Sequence, residues 1–150
     1  MVTSFRVNHN KLNEGMYVSR VDDDIITYDI RVIKPNAPPF LEPPAIHTIE
    51  HLFAMFVRTG FCGENVIYFG PMGCRTGFFF LLRAVSHTNA IALTKSAFEF
   101  ISQFSGEIPG CRKEECGNFL EHNLDLAKEY ASKMCKILAN WVPCCLQYEQ

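Results

Sequence analysis

Phe78-Phe79-Phe80-Leu81-Leu82 is the stretch on which the fold turns. It is fully apolar, which reads as a central strand buried on both faces of a sheet. Just upstream, Asn65-Val66-Ile67-Tyr68-Phe69 reads as a second strand, followed by a turn at Gly70-Pro71-Met72-Gly73. Further back, residues 25–33 carry β-branched side chains in partial alternation after the acidic turn Asp22-Asp23-Asp24, and place Arg31 near a strand end. Downstream the pattern becomes helical. Ile91, Thr94, Phe98, Ile101 and Phe104 mark the inner side of a helix over 88–104; Leu124, Ala127, Ala131, Met134 and Leu138 mark another over 124–140. Asn123 is placed to cap the latter, and 105–115 is a polar loop. The expectation is an α+β fold, an antiparallel sheet packed against two to four helices, in a single domain over 1–150.

Composition narrows the function. The chain has 150 residues, 13 of them phenylalanine, so it can bury a sizeable aromatic core. Net charge is −2 with no Lys/Arg stripe, which argues against nucleic acid. No apolar run has signal-peptide or membrane-spanning length, so a soluble cytoplasmic protein without membrane association is expected. Seven cysteines form an odd set, which reads as free thiols in a reducing compartment.

Five of the eight prolines fall between residues 35 and 44 and make a stiff connector that stops just before His47. A helix over 46–59 is expected to follow, beginning near Ala45 or Ile46, with Ile49, Leu52, Phe53, Phe56 and Val57 inward and Gly60 as C-cap. Its first turns read His47-Thr48-Ile49-Glu50-His51. Histidines four apart share one helix face, about 6 Å apart along the axis, within reach of one divalent cation. Glu50 projects about 100° away, beside a metal without ligating it. A third ligand must come from elsewhere: His9, His87, His122, a cysteine or a carboxylate. Cys116, in Glu114-Glu115-Cys116-Gly117-Asn118, is attractive because the glycine lets backbone approach closely, and a His, His, Cys set suits zinc or ferrous iron.

A second cluster is Gly70-Pro71-Met72-Gly73-Cys74-Arg75-Thr76-Gly77. It sets one cysteine on a tight backbone between strands, where Arg75 is placed to stabilise a thiolate and the thiolate to shuttle protons. Each feature also has a plain reading: surface histidines at a helix start, a buried inert Cys116, a β-turn with an incidental cysteine, and a strand-end Arg31 that is simply a surface charge.

Taken together these segments resemble the S-ribosylhomocysteine lyase (LuxS) family, which makes the autoinducer-2 precursor. The matching stretches run in order: Ser4-Phe5 with His9; Asp29-Ile30-Arg31 with Lys34-Pro35-Asn36; His47-Thr48-Ile49-Glu50-His51-Leu52; Pro71 through Phe78; and Glu115-Cys116-Gly117-Asn118 with Glu121-His122. The resemblance implies a homodimer with active sites at its interface and Fe²⁺ as the metal, with zinc or cobalt able to replace it. His47, His51 and Cys116 would be the ligands. Glu50 and Cys74 would be the acid/base pair. Ser4, His9 and Arg31 would bind substrate, reaching a site whose metal belongs to the other subunit. The implied reaction splits S-ribosylhomocysteine into homocysteine and 4,5-dihydroxy-2,3-pentanedione. One departure is local: many members carry an acidic residue a few positions before the Pro-Met-Gly-Cys turn, where this chain has Tyr68-Phe69-Gly70. Two other readings use the same histidines. In an HxxEH zinc metallopeptidase Glu50 would activate a water; in a non-catalytic metal-binding module the site would be closed by a fourth protein ligand.

Overall fold

The computed structural model describes residues 7–149. Four strands form one antiparallel sheet: β1 (Gly15–Asp22), β2 (Ile25–Arg31), β3 (Val66–Pro71) and β4 (Gly77–Arg83), in spatial order β1-β2-β4-β3. The apolar run 78–82 is therefore a central strand, as expected. Its two faces differ. Phe78, Phe80 and Leu82 are buried, whereas Phe79 and Leu81 are only half-buried. The expectation of two fully buried faces is corrected, because the core and its helices lie on one side of the sheet.

Three helices supply that side: α1 (Pro43–Thr59), α2 (His87–Ser102) and α3 (Leu124–Ile137). Phe53 of α1 stacks on Phe69 at 3.9 Å between ring centroids and meets Phe80 and Phe98 edge-on. Fully burying a side chain of this size is worth about 1.5–3 kcal/mol, and each aromatic pair adds about 0.5–1.5 kcal/mol. This cluster is what fixes α1 against the sheet.

Helix α1 starts earlier than the proline run suggests. Pro43 and Pro44 occupy its first turn, where the missing N–H groups would have no helical partner in any case. Gly60 does end the helix, in an extended rather than a left-handed conformation. Helix α3 stops at Ile137, short of residue 140, and Asn123 caps it by accepting from the Leu126 N–H at 3.0 Å. Strand β2 ends at Arg31 because the next two N–H groups, of Val32 and Ile33, both turn to the Thr76 carbonyl at 2.9 Å. Gly77 permits that crossing: a Cβ there would run into the Ile30 carbonyl. All seven cysteines are free thiols. No helix among the described residues is long and apolar enough to cross a membrane.

Candidate metal centre and adjoining cavity

The first site is built where α1 meets the loop between α2 and α3. His47 and His51 are half-buried on α1. The loop folds over that helix end and uses two of its carbonyls to fix the imidazoles. His47 Nδ1 donates to the Glu121 carbonyl at 2.7 Å and His51 Nδ1 to that of Pro109 at 3.0 Å. With the proton on Nδ1, each ring keeps a bare Nε2 lone pair, the form that binds a metal. Gly110 holds its left-handed conformation (φ +71°) close against the His51 ring, a place that disfavours any side chain.

The same loop delivers Cys116, whose Sγ lies 3.2 Å from His47 Nε2 and 4.0 Å from His51 Nε2. Tetrahedral N and S ligands of one divalent ion stand roughly 3.5 Å apart, so the three donors are spaced to share an ion. The expectation that Gly117 admits a close backbone neighbour does not hold: nothing lies within 4 Å of where its Cβ would be. The local turn instead rests on bonds from the Glu115 and Cys116 N–H groups to the Arg112 carbonyl.

His122 joins the cluster, with one donor atom from each of His47, His51, Cys116 and His122 lying within 4.8 Å of the others. It is one of the several third-ligand candidates that the sequence offers. Its ring stacks on His47 at 4.1 Å, and its setting depends on Thr48. The Thr48 hydroxyl donates to the Pro44 carbonyl at 3.1 Å and accepts from the Asn123 N–H at 3.0 Å and from His122 Nδ1 at 2.9 Å. That leaves His122 Nε2 buried with no hydrogen-bond partner among the described residues. Burial, then the neighbouring His47 and His51, push the His122 pKa down to about 4, so the ring stays neutral beside the cluster. Glu50 is half-buried on α1 and stands outside the converging donors. His87 is elsewhere, hydrogen-bonded to the Tyr28 hydroxyl at 2.8 Å.

The second site is a cavity of about 380 Å³ lined in part by His9, Asp29, Arg31, Cys74, Phe79 and Tyr148. Asp29 and Phe79 are paired across β2 and β4 on the face away from the helices. None of the clustered donors lines this cavity. Cys74 is exposed at the β3–β4 turn, as a reactive thiol must be. Arg31 is buried, not a surface charge. It holds Asp29 through two bonds, Nε to Oδ1 at 3.1 Å and Nη2 to Oδ2 at 2.6 Å. Its Nη1 reaches Thr76 Oγ1 at 2.8 Å and Cys74 Sγ at 3.9 Å. Thr76 Oγ1 is itself 3.0 Å from Cys74 Sγ.

The guanidinium beside Cys74 is therefore that of Arg31. Arg75, expected in that role, adopts a left-handed backbone conformation (φ +59°) and turns its side chain to the Leu41 carbonyl at 3.3 Å. Ser4 lies outside the described residues. The departure at Tyr68-Phe69-Gly70 has a steric counterpart, since the Tyr68 phenol occupies the space that a side chain on residue 70 would need.

The family model described as S-Ribosylhomocysteinase (LuxS) matches residues 2–143. Among curated proteins the chain is similar to the S-ribosylhomocysteine lyase of Borreliella afzelii (strain PKo), 47% identical over 145 residues, covering 93% of this chain and 92% of that one. The S-ribosylhomocysteine lyase of Finegoldia magna is 44% identical over 144 residues, with the same coverage. That of Porphyromonas gingivalis (strain W83) is 41% identical over 138 residues, covering 88% and 87%.

Proposed function

The chain belongs to the S-ribosylhomocysteinase (LuxS) family, and on that premise we propose that it is a metal-dependent lyase cleaving S-ribosylhomocysteine to homocysteine and 4,5-dihydroxy-2,3-pentanedione. The observation that carries the reading is the His47, His51, Cys116 donor set, with both imidazoles locked by backbone carbonyls in the tautomer a metal requires. A soft thiolate with two imidazoles suits ferrous iron, and zinc or cobalt as replacements. Held there, the metal supplies Lewis-acid polarisation of the sugar oxygens.

The rest of the chemistry is proton movement. The sugar carbonyl migrates along the chain by two enolisations, and the thioether leaves by β-elimination. Each enolisation takes a proton from one carbon and returns one to its neighbour. Glu50, beside the donor cluster but not in it, and Cys74, an exposed thiol under a guanidinium, are the two carriers. Arg31 and His9 bind substrate in the cavity, with Ser4 as the third group.

The cavity and the donor cluster belong to different layers of one chain. The half-buried Phe79 and Leu81 of the helix-free sheet face leave apolar surface for a second copy. These two facts support a homodimer in which one protomer's cavity, Cys74 included, meets its partner's donor cluster. The free thiols suit a reducing cytoplasm. Within it, the diketone product would serve as a signal precursor while homocysteine returns to methyl-group metabolism, all within one domain. A peptidase reading gains nothing from the structure, because the third donor is a thiol and not a carboxylate.

The deciding assay is thiol release from S-ribosylhomocysteine by metal-quantified protein. Turnover that depends on metal content supports the reading; metal-loaded protein that releases no thiol overturns it. Glu50→Gln is expected to keep its metal and stall at a ketose intermediate. Full activity in that variant removes Glu50 from the mechanism.

A further inference from the structure

The family match ends at residue 143, yet the chain stays on the sheet beyond it. Two residues before that end, Trp141 donates its indole N–H to the Met16 carbonyl at 2.9 Å. The short turn Pro143–Leu146 then buries Leu146. Tyr148 follows, stacked on Tyr17 with ring centroids 5.1 Å apart and planes 20° from parallel. Its ring is one wall of the cavity that holds Cys74.

The Tyr148 hydroxyl donates to Asp29 Oδ2 at 2.7 Å. That oxygen also accepts from Arg31 Nη2 at 2.6 Å, while Oδ1 takes Arg31 Nε. Both Asp29 and Arg31 are at most 5% exposed, so the carboxylate depends on these partners to satisfy its lone pairs. One line of hydrogen bonds thus runs from Tyr148 through Asp29 and Arg31 to Thr76 and the Cys74 thiol. Removing its first member leaves Asp29 Oδ2 held by Arg31 alone: the buried ion pair keeps its own two bonds and the Thr76 contact but loses the outside anchor that sets where the pair sits. Burial, then Asp29, push the phenol's pKa well above its ordinary value, so it remains a donor.

We propose that Tyr148 is a positioning residue: through Asp29 it steadies how Arg31 meets the substrate, and with its ring it screens Cys74 on the cavity side. The inference rests on reading the cavity as the substrate side of the lyase site. It gives a binding function to a segment that lies past the family match.

The test compares Tyr148→Phe, which keeps the ring and loses the hydrogen bond, with Tyr148→Ala, which loses both. Gln147→Ala, at an exposed neighbour, is the control. Steady-state kinetics on metal-quantified protein are paired with iodoacetamide alkylation of Cys74, resolved by peptide mass without substrate. Tyr148→Phe is expected to raise KM roughly tenfold with kcat within about twofold, the signature of lost substrate binding, and to leave Cys74 alkylation unchanged. Tyr148→Ala is expected to raise KM at least as much and to speed Cys74 alkylation severalfold. Wild-type KM in Tyr148→Phe, or a fall confined to kcat, overturns the positioning role. Unchanged alkylation in Tyr148→Ala overturns the screening role. Should the wild type release no thiol, the lyase reading fails by itself, and the alkylation arm still decides whether Tyr148 screens Cys74.

Discussion

The donor cluster and the cavity each present one cysteine, and they are built in opposite ways. Cys116 is half-buried, 3.2 Å from an imidazole nitrogen, in a group whose rings are pinned by backbone carbonyls. Cys74 is exposed on a turn, with a guanidinium at 3.9 Å and a hydroxyl at 3.0 Å. A thiol among metal-ready lone pairs is placed to be held; a thiol at a cavity mouth beside a cation is placed to react. On the proposed reading, the difference teaches that one reaction divides its needs between two layers of the fold: the metal donors and Glu50 on the helix side, Cys74 and the substrate-binding groups on the sheet side.

The strongest way to break that division is to delete each thiol in turn. Cys116→Ala should lose its metal by elemental analysis and with it at least about 10³-fold in turnover, since the proposed ligand set is then cut to His47 and His51; retained metal would point to the bare Nε2 of His122 as a replacement donor. Cys74→Ala should keep full metal content and lose about 10²–10⁴-fold in turnover. Mixing the two variants under subunit exchange sharpens the comparison. If the sites form across a dimer interface, half the dimers regain one of two sites, and thiol release recovers to about a quarter of wild type. No recovery, with exchange demonstrated, would place both thiols of each site in one protomer.

Next in size is the ion pair under the cavity. Arg31→Met leaves the Asp29 carboxylate buried without its counter-ion, with the Tyr148 hydroxyl as its remaining side-chain donor, and should cost about 3–5 kcal/mol in denaturant unfolding while metal content stays normal. Loss of metal in that variant would show that the two regions are one cooperative unit. On the cluster side, Thr48→Val keeps the shape and removes a hydroxyl that serves three partners. We expect about 1–3 kcal/mol of destabilisation and roughly 10–100-fold weaker metal binding in a chelator competition. Unchanged metal affinity would reduce Thr48 to a helix-end contact.

The smallest effect compares the two sheet faces by pH. Tyr17 lies at the cavity side; burial, then Asp29 and Glu14, push its pKa up to about 12. Tyr28 lies in the helix-side core, and burial pushes it to about 12 as well. Both are raised above the unfolded value of about 10. Their contribution is therefore complete below pH 10 and is lost as pH rises from 10 through 12. Stability should decline over that window, and tyrosinate absorbance should show these two ionising late. Normal titration of both in folded protein would contradict their burial.

How much of this was legible in the sequence follows from the same contrast. Helical periodicity is a local rule, so His47 and His51 could be placed together from their spacing. The core stripe of α1 and the Asn123 cap followed from equally short-range patterns. Cys116 was visible only as a candidate, because its distance from His47 is decided by a loop with no periodicity. The cavity was least legible. Arg31 and Cys74 are 43 residues apart and Asp29 and Tyr148 are 119 apart, and no spacing rule spans such separations. The nearer arginine, Arg75, reads as the thiol's neighbour in the sequence, whereas Arg31 is the one that stands beside it, since adjacency in sequence says little about direction at a turn residue of positive φ. Phe79 and Leu81 misled for another reason: a run of apolar residues says nothing of which of its two faces this chain's own helices cover.

Trp141 carries one last consequence. It is the only tryptophan in the chain, it is anchored to the β1 backbone, and it sits edge-on to Tyr17, 5.8 Å between centroids. The protein thus contains its own optical gauge of how the C-terminal segment is seated. Any event that lifts that segment from the sheet would be written in the emission of a single indole, without a label and independently of what happens at the histidines.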